Sequence, residues 1–155
     1  MEAVAKELEG IVNSFATKFL SIPDSEFQVK PNPAKWSKQE VVGHLIDSAQ
    51  NNLRRFIVAQ YETESKIIYE QEFWVRASGY QNQKKENVIE LWRLLNLQIC
   101  SVLKSIPREN YSRTSDTRRE SKQLRTIEWL APDYVKHLKH HINQVVPSSF
   151  DVTYP

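Results

Sequence analysis

The sequence is poor in the residues that define several common protein classes. It has one cysteine, Cys100, which excludes an internal disulfide framework and fits a reducing compartment. Three glycines suit a helical chain better than a turn-rich β protein. No run approaches the roughly 20 apolar residues of a membrane span, and the charged start MEAVAKELEG is not typical of a secretory signal. We therefore expect a cytoplasmic protein that does not enter a membrane.

The charge balance predicts no polyanionic partner. The net charge is +2, so neither nucleic acid nor an anionic membrane surface is expected to bind. Hydrophobic residues make up 40% and charged residues 26% of the chain, as in ordinary globular proteins. A length of 155 residues predicts one domain over residues 1–155.

Apolar residues recur at spacings of three and four in four segments, which predicts four amphipathic helices. These helices are expected to run from about Ala3 to Leu20, Ser37 to Tyr61, Glu86 to Ile106 and Thr126 to Val146. Four such helices with two long connections predict an all-α four-helix bundle. The connections, residues 63–85 and 113–125, are expected to be irregular.

Two local signals refine the helix boundaries. Ser37 followed three residues later by Glu40 is a capping box, which marks the start of the second helix and accounts for Glu40. Pro132 lies inside the pattern of the fourth helix and removes one backbone hydrogen bond. It predicts either a kink or a later start for that helix.

Three of the four histidines fall in the stretch KHLKHHINQ of the fourth helix. At about 100° per residue, His137 and His141 point the same way from the rim of the apolar face. His140 falls about 60° from His137 on the side away from that face, so it is expected to meet solvent or to orient a neighbour. The fourth histidine, His44, lies on the second helix in a polar stripe with Ser48, Asn51 and Arg55. Such a stripe beside a core face is typical of a cleft between helices.

An i, i+4 histidine pair can bind one metal ion, and a third histidine from a facing helix would complete three nitrogen ligands. His44, His137 and His141 are therefore candidate ligands of a divalent metal, and imidazole does not distinguish zinc, nickel and iron. The alternative is that the histidines are structural residues of the bundle. Asp47 and Asp133 are candidates to orient the imidazoles, but their positions on the helical wheels favour ordinary solvation for both.

The remaining polar and aromatic residues carry weaker hypotheses. Arg55 is expected to hold an anionic substrate group or to form a surface ion pair. Trp74 and Tyr80 either close over the site or plug the end of the bundle. Cys100 is interpreted as a small buried hydrophobe. A solvated loop is expected for the basic run, which comprises Arg118, Arg119, Lys122 and Arg125 with Glu120 interleaved.

Two stretches of the sequence resemble the DinB/YfiT-like superfamily of bacterial proteins. They are WSKQEVVGHLIDSAQNNLRRF, with its W-S-x-x-E-x-x-G-H-L-x-D entry, and IEWLAPDYVKHLKHHINQV, with its H-x-x-x-H-x-x-Q pattern. The resemblance implies an up-down-down-up bundle that is often a homodimer. It also implies a divalent metal held by His44, His137 and His141. Pro132 departs from the pattern of the family's last helix.

The resemblance leaves the reaction open. Members of the superfamily include metal-dependent hydrolases and S-transferases that use low-molecular-weight thiols such as bacillithiol or mycothiol. Metal-activated water or a metal-bound thiolate would serve these two chemistries. A small-molecule substrate is expected in either case, and Ser48, Asn51, Arg55 and Trp74 are its candidate contacts. A non-catalytic metal-binding or stress-response module is the alternative, and no catalytic residue is predicted.

Overall fold

The computed structural model describes residues 1–118 and 121–154. Within these residues the helices are α1 (Glu2–Ser21), α2 (Asp24–Phe27), α3 (Lys38–Val58), α4 (Gln71–Ser78), α5 (Lys85–Ser105) and α6 (Ile127–Val145). The strands are β1 (Ser65–Lys66), β2 (Thr114–Asp116) and β3 (Leu124–Thr126). The four long helices α1, α3, α5 and α6 confirm the predicted four-helix bundle, with boundaries within about three residues of those expected from the sequence.

Contacts at the helix ends fix the directions of the first three long helices. Lys85 at the start of α5 donates to the carbonyl oxygen of Ile22, just beyond the end of α1, over 2.9 Å. These two helices are therefore antiparallel. Gln39 at the start of α3 donates to the carbonyl oxygen of Gln83, just before α5, also over 2.9 Å. The helices α3 and α5 therefore run in parallel.

The fourth long helix packs between α3 and α1. The rings of His44, early in α3, and His141, late in α6, lie 4.5 Å apart, so these helices are antiparallel. Lys139 pairs with Glu7 across α6 and α1. Because α1 is antiparallel to α5, α5 is parallel to α3, and α3 is antiparallel to α6, the helices α1 and α6 point the same way. The directions are up, down, down and up in chain order, as the resemblance implies.

The predicted capping box is present at the start of α3. The Ser37 hydroxyl accepts from the backbone N–H of Glu40 over 3.1 Å, and the Glu40 carboxylate accepts from the backbone N–H of Ser37 over 2.9 Å. The helix α6 begins at Ile127, capped by the Thr126 side chain, and contains Pro132. The alternative of a later start is therefore wrong. Pro132 is exposed, so water can solvate the carbonyl that lacks its helical donor.

Both connections that were expected to be irregular contain regular structure. The first holds β1 and α4, and α4 ends at Gly79, which adopts a left-handed conformation with φ of 63°. The second holds β2 and β3. The three strands form one small sheet, in which β1 is parallel to β2 and β2 is antiparallel to β3. Arg119 and Glu120 of the predicted loop lie outside the described residues.

The apolar faces of the four long helices meet in one core. Its largest fully buried side chains include Trp92, Tyr134, Phe19, Phe27 and Phe56. Phe19 of α1 packs against Trp92 of α5 with ring centroids 5.2 Å apart. Burial of such aromatic side chains is the main contribution to the stability of a bundle of this size. Among the described helices, none is long and apolar enough to cross a membrane.

Candidate metal centre

The first histidine of the site is held by the start of α3. The capping box fixes where α3 begins, and His44 lies two turns further along, on the side that faces α6. Its side chain is 1% exposed. The ring of Trp36, which precedes the capping box, packs against the His44 ring with centroids 5.1 Å apart.

The other two histidines project from α6 toward His44. His137 and His141 are one helical turn apart, and their ring centroids are 4.5 Å from each other. One ring nitrogen from each of the three histidines lies within 4.8 Å of the other two. His44 Nε2 is 3.4 Å from His137 Nε2. The structure therefore brings together the three residues that were expected to ligate a metal.

The spacing and chemistry of this group fit a divalent ion. Two imidazole nitrogens that share a tetrahedral ion, each at about 2.1 Å, lie about 3.4 Å apart. This is the separation of the His44 and His137 Nε2 atoms. Imidazole suits zinc, nickel and iron alike, so the donor set indicates a divalent transition metal without choosing among them.

Polar side chains flank the nitrogen atoms that point away from the centre. Ser48 Oγ lies 3.4 Å from His137 Nδ1, and Gln144 Oε1 lies 3.3 Å from His141 Nδ1. Partners of this kind fix the tautomer and orientation of an imidazole ligand, leaving Nε2 free for the ion. His44 Nδ1 is buried and has no hydrogen-bond partner among the described residues.

His140 is near the group but is not part of it. It was expected to face solvent or to orient a neighbour, and it is half-buried. Its ring packs against His141 with centroids 5.0 Å apart, and its Nε2 lies 3.3 Å from the Gln144 amide nitrogen. Gln144 thus contacts both His140 and His141, so His140 is connected to the site through this shared partner.

Burial keeps the three histidines neutral. It lowers the pKa of His44 to about 3, with a further contribution from His141. It lowers the pKa of His141 to about 4, despite the opposing contact with Gln144. The pKa of His137 is held well below its usual range by burial and by the neighbouring histidines. Neutral imidazole is the form that binds a metal, so protons compete weakly for this site near pH 7.

A cavity of about 490 Å³ opens beside His137. Ser48 and Arg55 of α3 line it on one side, and Asp133 of α6 lines it on the other. Tyr154, from the segment after α6, donates to the Asp133 carboxylate over 3.1 Å and packs its ring 5.2 Å from that of His137. Of the three histidines, His137 is the one that lines this cavity.

The four predicted substrate contacts are separated by the structure. Ser48 and Arg55 line the cavity beside His137. Asn51 is buried and donates to the carbonyl oxygen of Asp47 over 2.8 Å. Trp74 is half-buried and packs its ring 5.4 Å from that of Tyr69. A substrate role stays a prediction for all four residues.

The predicted orienting carboxylates have different surroundings. Asp47 accepts a 2.6 Å hydrogen bond from the hydroxyl of Tyr80, which lies on top of Gly43, and burial raises the pKa of Asp47 to about 6. Tyr80 therefore packs on α3 as part of the core. Asp133 instead faces the cavity, where burial raises its pKa.

Sequence reasoning missed a group of residues that line the cavity. Tyr154 follows the last helix, and Arg118 and Arg125 belong to the connection that was expected to be a solvated loop. No periodic pattern places these residues, because Arg118 and Arg125 depend on the fold of the small sheet and Tyr154 on the path of the chain after α6. The charge excess of the basic run was the one available signal.

The family model described as the DinB superfamily matches residues 4–145. The chain belongs to the DinB superfamily. Comparison of this DinB-superfamily chain with curated proteins finds no match.

A solved structure supports the same fold. It is YfiT from Bacillus subtilis, which is described as a probable metal-dependent hydrolase with an unusual four-helix bundle topology. The TM-score is 0.77 at 22% sequence identity, and the match covers 93% of this chain and 81% of the other. At this identity, the likeness establishes the fold of the DinB-superfamily chain.

Proposed function

We propose that the protein is a metal-dependent hydrolase of a small molecule, with His44, His137 and His141 as the ligands of one divalent ion. The observation that carries this proposal is the convergence of three neutral imidazoles at the side of a cavity. Three protein ligands leave a coordination position for water or substrate, as is common in catalytic zinc sites. The description of YfiT as a metal-dependent hydrolase supports the same function.

The side chains around the centre have separate parts in this proposal. A bound divalent ion would supply a Lewis acid and lower the pKa of a coordinated water toward about 7. Ser48 and Gln144 hold the His137 and His141 rings, and Trp36 covers His44 from bulk water.

Asp133 is the carboxylate best placed to move a proton. It lies one turn before His137 on the same face of α6, and it accepts from the Tyr154 hydroxyl inside the cavity. We assign to Asp133 the part of general base, with Tyr154 as the donor that positions it. Burial raises the pKa of Asp133, which makes it a stronger base than a carboxylate exposed to water.

The test is hydrolysis by the untagged full-length chain after chelation and after reconstitution with zinc, nickel or iron. A panel of carboxylic ester, amide and phosphoester substrates should show turnover with at least one ion. Turnover should be absent from metal-free protein and strongly reduced in Asp133→Asn that retains its metal. Hydrolysis that persists after chelation would contradict the proposal.

A thiol S-transferase is the competing chemistry at the same centre. The protein's own thiol is unsuited to it, because Cys100 is buried and burial raises its pKa to about 11. A transferase would therefore use an external low-molecular-weight thiol. Consumption of an added thiol by an electrophile, only with metal present, would favour the transferase over the hydrolase. A stable metal complex that is inactive in both assays would favour a non-catalytic binding module.

We also propose that the protein forms a homodimer through α5. Leu91 and Leu94 of this helix are 40% and 51% exposed, and apolar surface of this kind is typical of a subunit interface. Light scattering should give twice the mass of the 155-residue chain. Leu94→Glu should give the monomer mass, and a monomeric wild type would contradict the dimer.

A further inference from the structure

The cavity beside His137 carries positive charge that the described residues do not neutralise by contact. Arg55, Arg118, Arg125 and Lys136 line it together with one carboxylate, Asp133. Within residues 1–118 and 121–154, none of these four cations forms a salt bridge with a carboxylate. Arg55 and Arg125 are half-buried, and Arg118 and Lys136 are exposed. A cleft lined mainly by charges of one sign attracts ions of the opposite sign, so this arrangement favours an anion.

The first cavity continues into a second one, which among the described residues adds the carboxylate of Glu70 and no further cation. This second cavity of about 510 Å³ shares Arg55, Tyr69, Thr117 and Arg118 with the first. The two cavities therefore adjoin, and together they lead from His137 to Gln71 and Ser121. Of the three histidines, His137 lines the first cavity, and all four cations line that cavity with it.

Arg55, which lines both cavities, is held by hydrogen bonds that leave some of its N–H donors unused. Arg55 uses Nε and Nη2 to bond the carbonyl oxygen of Ile67 over 3.1 and 2.7 Å, and Nη1 to bond Asn52 Oδ1 over 3.2 Å. These bonds occupy three of its five N–H groups. The remaining donors can bind a ligand. Because the guanidinium is already fixed, that binding costs less rotamer entropy than it would for a free side chain.

A second arginine is fixed by an aromatic ring. The Arg125 guanidinium lies 4.2 Å from the centroid of the Trp129 ring. Its Nε is buried and has no hydrogen-bond partner among the described residues. A buried donor without an acceptor is unusual in a folded protein and indicates a place for a ligand atom or water.

We propose that this cleft binds a carboxylate or phosphate group of the substrate, with Arg55, Arg118 and Arg125 as its anchors. The inference rests on the proposed function, because the anchored molecule is the one that reacts at the metal centre. Ser48 and Arg55 are separated by seven residues of α3, or about 10 Å along the helix. The substrate is therefore an elongated anion whose charged end lies on the order of 10 Å from the bond that reacts.

The test is an NMR titration of the arginine Nε–H resonances of the full chain, with and without bound zinc. The probes are succinate and inorganic phosphate, with neutral succinamide as the control. Succinate, phosphate or both should shift the Arg55 and Arg125 signals saturably in both metal states, and the one that binds more tightly identifies the anion. Succinamide should shift neither signal.

Substitutions distinguish anion binding in the cleft from nonspecific attraction to positive charge on the protein surface. Arg118→Gln and Arg125→Gln should each weaken anion binding about tenfold, as expected for the loss of one charge-assisted hydrogen bond. Arg54→Gln removes the same charge from the exposed position next to Arg55 and should leave binding unchanged. Equal weakening by Arg54→Gln, or no saturable shift with either anion, would overturn the proposal.

The metal state distinguishes this inference from the proposed function. Anion binding that disappears after chelation would mean that the anion ligates the metal, which would overturn the role of the arginines. A chain that takes up no metal but still binds the anion at Arg55 and Arg125 would remove the proposed hydrolase. The anion-binding cleft would in that case remain.

Discussion

At the scale of single residues, two side chains hold the imidazoles of the candidate centre. Ser48 contacts His137 Nδ1, and Gln144 contacts His141 Nδ1. Asn52 in turn contacts Ser48. Its side-chain amide nitrogen donates to the backbone carbonyl oxygen of Ser48 and lies 3.4 Å from the Ser48 hydroxyl oxygen. The Nε2 atom of His137 lies 3.4 Å from that of His44, and the contact at His141 Nδ1 leaves the Nε2 atom of His141 free to bind an ion.

The Ser48 contact predicts a specific loss of metal affinity. Ser48→Ala should weaken zinc binding by about 10- to 100-fold, because His137 loses the partner that sets its orientation. A competition titration against a chromophoric chelator would measure the change. Ser101→Ala, on the exposed face of α5, is the matched control and should bind zinc like the wild type. Unchanged affinity in Ser48→Ala would show that the contact has no orienting role.

At the scale of elements, the long helices could be predicted from the sequence and the short elements could not. The spacing of apolar residues repeats over about twenty residues in α1, α3 and α5, so the periodic signal is strong. The strands β1, β2 and β3 have two or three residues each and are too short to show a period. The eight-residue α4 had one usable signal, the glycine at position 79 that ends it.

The packing of Tyr80 on α3 depends on Gly43. A Cβ atom at position 43 would lie 2.2 Å from Tyr80 Cδ2 and 2.9 Å from Tyr80 Cβ. Gly43→Ala should therefore displace the tyrosine and lower the free energy of unfolding by about 1–3 kcal/mol, although alanine favours a helix. Urea denaturation would measure it.

Gly10 provides the control for this prediction. It lies in α1, and a Cβ atom there would meet nothing within 4 Å. Gly10→Ala should raise the free energy of unfolding by about 0.5–1 kcal/mol through helix propensity alone. If the two variants changed stability in the same direction and by the same amount, the close approach of Tyr80 would have no energetic role.

At the scale of the whole molecule, the histidine group was predictable and the cavity was not. Helical periodicity already places His137 and His141 on one face and His44 on a facing polar stripe. The positions of Arg118, Arg125 and Tyr154 depend on how the segments outside the long helices fold back over the bundle. Those tertiary contacts have no local sequence pattern, so only the structure reveals them.

The buried histidines predict how the stability of the metal-free protein depends on pH. Folding lowers the pKa of His44 from 6.5 to about 3 and that of His141 from 6.5 to about 4. Their stabilising contribution is complete above pH 6.5, and it is lost as the pH falls because the unfolded chain binds protons first. Urea denaturation should show the free energy of unfolding decreasing from pH 6.5 toward pH 3. In His141→Gln the decrease should be shallower, and parallel curves would contradict this account.

The central claim is that His44, His137 and His141 hold one divalent ion, and metal content per chain tests it most directly. Elemental mass spectrometry of the untagged protein should find about one ion per chain after incubation with zinc, nickel or iron. His141→Ala should lose that ion, whereas His140→Ala, which removes the adjacent histidine outside the group, should keep it. Wild-type protein that takes up none of the three metals, or equal loss in both variants, would contradict the claim.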